Sequence, residues 1–230
     1  MEEIWVCHLG VVDYREALSL QERLREARQA GELPDVLLTL EHPPVYTRGR
    51  RSRPGELPMG EEWYAAQGID VVETDRGGLV TYHGPGQLVG YPIVRVDDVV
   101  GYVRTLESAL VRALVDEGVV QARSRPRDGH RYTGVWVEDR KIASIGVHLS
   151  RGVSTHGFAV NVENDLEPFS WIVPCGLDGV QMTSLIRETG RSPSLVKCFR
   201  RRAAYEVARG LGRRQRLVSL ARLETQVPVA

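Results

Sequence analysis

Between residues 132 and 162 the chain writes three strand-like runs with no room between them for a helix. The runs are 132–137, 141–149 and 154–162, and the first two are separated only by Glu138-Asp139-Arg140. Neighbours joined so closely pair antiparallel, because a parallel return needs a crossover of a dozen residues or more. Further strands are predicted at 4–12, 35–41, 69–74 and 87–96. Helical spacing appears elsewhere. Asp13 and Glu16 resemble a capping box ahead of Tyr14, Ala17, Leu20, Leu24 and Ala27, with Gly31 as the stop. Asp98 precedes Val99, Val103, Leu106, Leu110 and Leu114, closed by Gly118. A short helix fits 61–67, and a last one fits 194–211, with Val196, Phe199, Ala203, Val207 and Leu211 inward. The fold class is therefore α/β, a mixed and largely antiparallel sheet with flanking helices. Residues 1–212 read as one domain. Residues 213–230 read as a basic C-terminal segment, either a small helix or a frayed tail.

Net charge is zero, yet residues 197–222 hold nine basic residues and one acidic residue, a local balance of +8. No apolar run approaches the ~18 residues that span a bilayer. The opening Met-Glu-Glu-Ile-Trp lacks the basic start and apolar run of a secretory signal. Cys7, Cys175 and Cys198 are odd in number and widely spaced, which suits neither a disulfide framework nor a zinc pair. A cytoplasmic, reducing location is expected. Cys7 among apolar neighbours and Cys198 in an amphipathic helix are expected to be buried and inert.

Arg76-Gly-Gly-Leu-Val-Thr-Tyr-His-Gly-Pro-Gly-Gln87 holds four of the 23 glycines around a short strand at 79–82. On spacing alone it is a glycine-rich hairpin. The basic loop 48–55 lacks the ending of a phosphate-binding P-loop and reads as solvated. Cys175, between Pro174 and Gly176, belongs to a turn that can present a thiol to a cleft. It becomes a nucleophile only beside a group that stabilises the thiolate. Lys141 opens an apolar strand; it is either an exposed strand-end lysine or a desolvated amine able to exchange protons with a thiol. His83 is the competing base. His148 and His156 read as strand residues turned to solvent or to a hydrogen bond, and no metal site is expected.

Five blocks in order resemble the lipoyl(octanoyl) transferases: residues 76–87, Tyr132-Thr-Gly-Val-Trp-Val137, Lys141-Ile-Ala-Ser-Ile-Gly146, His156-Gly-Phe-Ala-Val-Asn161 and Pro174-Cys-Gly176. The resemblance runs from about Thr47 to Leu185 and implies the catalytic-domain fold of biotin and lipoate protein ligases. It implies an acyltransferase that moves an octanoyl group from acyl carrier protein to a lysine of lipoyl domains. The acceptors would be those of 2-oxoacid dehydrogenase complexes and the glycine cleavage H protein. By the same resemblance Cys175 is the acyl-accepting thiol and Lys141 its partner. Arg76, Gly77, Gly78, Leu79, Val80, Thr81, Tyr82 and His83 would line the substrate pocket, with Ser144, Ile145, Gly146, Gly157, Phe158 and Ala159. No cofactor, nucleic acid or membrane is implied, and the expected state is a monomer. His148 and Glu163 depart from the family pattern, which has a basic residue and an asparagine there.

Such chemistry needs backbone N–H donors for an oxyanion, for which the Gly77-Gly78 and Cys175-Gly176 turns are candidates. Glycines 77, 78, 146 and 157 would leave room for an eight-carbon chain, each buried methylene contributing ~0.8 kcal/mol. The basic segment 197–222 either docks the acidic carrier or is a solvated helix face. Two rivals remain at this point. An ATP-dependent lipoate or biotin ligase would form acyl-AMP, and a non-catalytic carrier-binding module would form no acyl-enzyme.

Overall fold

The computed structural model describes residues 2–53, 55–173, 180–191 and 195–227. Strand β1 (Glu3–Val11), helix α1 (Tyr14–Ala30) and strand β2 (Asp35–Glu41) open the chain as a parallel crossover unit. Asp13 caps α1 by accepting from the Arg15 and Glu16 N–H groups, and Gly31 ends it at φ +80°. β3 (Val45–Arg48), α2 (Glu61–Ala66), β4 (Asp70–Glu73) and β5 (Thr81–His83) follow, with β3 between β4 and β5 in a small second sheet. The expected glycine-rich hairpin does not form. β5 pairs with β3, whereas the next strand, β6 (Gln87–Ile93), pairs with β2 in the main sheet. Gly84-Pro85-Gly86 therefore carries the chain from one sheet to the other. The short strand also starts later than expected, at Thr81, because the chain bends through 77–79.

α3 (Val99–Asp116) starts where Asp98 accepts from the Val100 N–H. Its buried face is Tyr102, Leu106, Ala109, Leu110, Ala113 and Leu114. Val99, expected on that face, is the first residue of the helix and is 45% exposed. β7 (Ala122–Arg123), β8 (Gly134–Val137), β9 (Arg140–Ser150) and β10 (Val153–Asn161) run antiparallel in sequence, as their short connections require. β11 (Gln181–Met182) pairs parallel with the start of β9, and α4 (Leu185–Thr189) and α5 (Val196–Gly210) follow. The segment after Gly212, expected as a small helix or a tail, contributes an edge strand. β12 (Arg214–Leu217) pairs parallel with β1, and α6 (Leu220–Glu224) buries Leu223.

The main sheet runs β12-β1-β2-β6-β10-β9-β8-β7, mixed and largely antiparallel. Alternation along the strands sends Ile4, Val6 and Leu37 to one face, against Leu106, Leu110, Phe199 and Val207 of α3 and α5. Trp5, Cys7 and Leu38 go to the other, against Leu20 and Leu24 of α1. Burying each such side chain is worth about 1.5–3 kcal/mol, which is what holds helices on both faces. Cys7 is buried as expected, and burial beside Glu224 pushes its thiol up to about 11. Cys198 is not buried: it sits on the exposed face of α5, one position before the inward Phe199.

Candidate active site

A cavity of about 550 Å³ opens between the 76–81 bend and strands β9 and β10. Its wall includes Arg76, Gly77, Gly78, Leu79, Val80, Thr81, His83, Lys141, Ser144, Ile145, Gly146, Gly157, Phe158 and Ala159. Three segments distant in sequence are thus brought to one space. Tyr82 is the exception. Strand alternation turns it from Thr81 and His83 into an aromatic cluster with Tyr46 and Phe169. Cys175 lies outside the described residues. Val173, two positions before it in sequence, lines the cavity, and its N–H donates to the Glu56 carbonyl.

Lys141 is only 2% exposed, and its Nζ lies 5.3 Å from the centre of the Trp136 ring. Of the two readings left open by sequence, the strand-end lysine is therefore a buried one. Arg76 is 7% exposed and folds back on β3, its Nη2 donating to the Thr47 carbonyl at 2.5 Å and hydroxyl at 2.8 Å.

Two expectations about the glycines change. The Gly77 N–H donates to the Val147 carbonyl at 3.0 Å, so it is committed to β9 and is not an oxyanion donor. A Cβ on Gly157 would lie 2.2 Å from the Gly90 carbonyl oxygen, and one on Gly146 would lie 2.7 Å from that of Gly77. These glycines let backbone approach backbone; their missing side chains do not point into space for an acyl chain.

Of the two expectations for His156, solvent or a hydrogen bond, the second holds. His156 is 1% exposed, not turned to solvent, and has φ +56°, unusual for a strand residue with a side chain. Its N–H donates to Gln21 Oε1 at 2.7 Å. Its Nε2 lies 2.6 Å from Asp75 Oδ1, and a carboxylate only accepts, so Nε2 carries the proton. That hydrogen bond holds the Asp75 carboxyl below its ordinary range, while burial lowers His156. His148 stands 3.4 Å from the same carboxylate. His83 Nδ1 lies 2.7 Å from Gln87 Oε1, the accepting end of an amide whose Nε2 donates to Asn161 and the Tyr82 carbonyl. Nδ1 therefore carries the proton, and burial pushes the ring well below its ordinary pKa, so His83 is neutral. His42 and Tyr91 complete the layer behind the cavity, Tyr91 donating to His42 Nε2 at 2.7 Å.

Residues not expected at the site also reach the cavity: Tyr14, Glu56, Tyr91, Val103, His130 and Arg131, with Arg51 and Arg53 of the loop read as solvated. Glu56 is 6% exposed and accepts from the Val80 N–H. Loop 48–55 keeps its exposed arginines, but it is not a detached loop: the Arg50 and Arg51 N–H groups donate to the Arg76 and Gly78 carbonyls. None of residues 197–222 lines the cavity. Several arginines there close within the chain, Arg202 on Asp116, Arg213 on Asp35 and Arg214 on Glu3. Glu163, where the family pattern has asparagine, accepts from the Leu195 N–H.

Residues 13–204 match the family described as the lipoyl protein ligase A/B catalytic domain. A protein of Acidobacterium capsulatum named octanoyltransferase is 44% identical over 223 residues, covering 90% of this chain and 87% of its own. One of Rubrobacter xylanophilus with the same name is 50% identical, covering 79% of this chain and 82% of its own. Solved structures share the fold. A lipoate-protein ligase A bound with ATP has a TM-score of 0.77 at 20% identity, covering 99% of this chain and 92% of its own. A biotin protein ligase from Aquifex aeolicus has a TM-score of 0.53 at 13% identity, covering 92% and 70%.

Proposed function

This chain belongs to the lipoyl protein ligase A/B catalytic domain family and, within it, to the octanoyltransferases; on that premise we propose that it transfers an octanoyl group through a thioester on Cys175. The donor in this reading is octanoyl-acyl carrier protein and the acceptor is a lysine of a lipoyl domain. The observation that carries it is the shared space: buried Lys141, the apolar walls Val80, Ile145, Phe158 and Ala159, and Val173, two positions before Cys175 in sequence, all border one cavity.

The chemistry follows from that neighbourhood. Lys141 as an amine takes the Cys175 proton, and the thiolate attacks the donor carbonyl. The C–S bond to the carrier breaks, and the departing thiolate recovers the proton from Lys141. In the second half the acceptor lysine attacks as a neutral amine, Lys141 takes its proton, and the amide forms as Cys175 leaves. Both reacting bonds are acyl bonds, so the transfer consumes no nucleotide and no redox equivalent. The apolar wall supports selection of an acyl chain, at ~0.8 kcal/mol per buried methylene.

Intact mass after mixing with octanoyl-acyl carrier protein tests the reading. The parent chain is expected to gain one octanoyl group, and Cys175→Ser to form no thioester. Lys141→Ala is expected to acylate at least ~100-fold more slowly, the usual scale of general acid–base assistance. A parent that stays unmodified, or a Cys175→Ser chain that forms a thioester as the parent does, defeats the mechanism. Formation of acyl-AMP from octanoate, ATP and Mg²⁺ would point to a ligase instead.

A further inference from the structure

Arg51 and Arg53, in the loop after β3, and Arg131, in the turn before β8, are exposed where the cavity meets solvent. Lys141, Phe158 and Ala159 line the same cavity but are buried, and so mark its inner end. Many other arginines of this chain are held by carboxylates: Arg28 by Asp35, Arg48 by Glu61 and Glu73, Arg140 by Glu138 and Glu188, Arg191 by Glu117. Among the described residues, Arg51, Arg53 and Arg131 make no ion pair. Among the described lining residues the carboxylate is Glu56, which is buried and accepts from the Val80 N–H. Three exposed arginines from two segments thus line one cavity, and a guanidinium's planar fork of donors suits a phosphate.

Volume points the same way. Eight acyl carbons at roughly 30 Å³ each, a water's share of the liquid, fill about 240 Å³. That is less than half of the cavity's 550 Å³. The remainder can admit part of the arm that delivers the thioester, with the rim further out along it.

We propose that Arg51, Arg53 and Arg131 form a subsite for a phosphodiester, the one on the flexible arm that carries the donor thioester. The proposal rests on the acyl-transfer reading above. A protein-docking patch need not border the cavity, whereas these three arginines line it.

The test compares acylation rates with octanoyl-pantetheine and the methyl phosphodiester of octanoyl-phosphopantetheine, which differ only in the phosphodiester group. In the parent the phosphodiester is expected to raise kcat/KM by about tenfold or more, the worth of charge-assisted hydrogen bonds. That ratio is expected to shrink with added salt and to fall towards one in an Arg51→Gln, Arg53→Gln, Arg131→Gln variant. A ratio that persists in the triple variant overturns the subsite, as does a parent indifferent to the phosphodiester. A variant impaired only with the whole carrier protein also overturns it, and assigns the arginines to protein docking. A parent that forms no octanoyl adduct with any donor overturns the acyl-transfer reading itself, and the subsite with it.

Discussion

Gly157 lies in β10 against β6, with the Gly90 carbonyl oxygen and Pro92 Cδ 2.2 and 2.6 Å from where a Cβ would stand. Both obstacles are held in the sheet, so an added methyl must push the strands apart. Gly157→Ala is expected to cost about 2–4 kcal/mol. Gly10→Ala, with open space around it and no left-handed φ, should stay within about 0.5 kcal/mol of the parent. Urea midpoints of the two variants check this ordering, and equal midpoints would refute the close-approach account. Glycine in His-Gly-Phe-Ala is visible in the sequence, but what its missing side chain avoids is not. The same limit applies one position earlier. His156 follows Ser154 and Thr155 in a run of strand residues, and only the inward turn at φ +56° sets it against Asp75.

Asp35 begins β2 and ties together elements that are far apart in sequence. Its carboxylate takes Arg28 Nε from the end of α1 at 2.9 Å and Arg213 Nε from the approach to β12 at 2.8 Å, and it accepts from the Arg95 N–H. It is 2% exposed, so replacing it removes three partners at once and leaves two guanidiniums against a buried gap. Asp35→Ala is expected to lose about 3 kcal/mol. Hydrogen exchange should then rise first in β12, an edge strand with one neighbour. Unchanged exchange there would mean that β12 does not depend on this carboxylate. Helix bounds were legible because caps are local: Asp13 and Asp98 act within three residues of themselves. β12 was not legible, because Arg214–Leu217 is polar and basic, and only its place beside β1 makes it a strand. Cys198 was misplaced for a related reason: helical spacing gives the direction of a stripe but leaves its edges open.

On the scale of the whole molecule, four histidines share one electrostatic consequence. Burial lowers His42 to about 4, and His8 is lowered to about 4 by burial and by Arg200 and Arg201. His83 and His156 are lowered as well, burial again being the main cause. The unfolded chain takes up these protons from about pH 6.5, but the folded chain resists them until the lowered values are reached. The associated stability is complete above pH 6.5 and is lost as pH falls through the folded values. Asp75, held low by His156, works in the same direction at more acid pH. For His42 alone the loss from pH 7 to pH 4.5 is about 2.5 kcal/mol, at 1.36 kcal/mol per unit. Unfolding midpoints that do not move over that interval would contradict these burial assignments. By itself the sequence determined the antiparallel succession of β8, β9 and β10, the ends of α1 and α3, and the five blocks that mark the family. Each depends on connection length, capping or residue identity within a few positions. Only tertiary structure decided that Tyr82 leaves the cavity while Glu56, Arg51, Arg53 and Arg131 line it, and that β12 closes beside β1. Those outcomes depend on which strand faces meet across tens of residues, and local spacing carries no term for that.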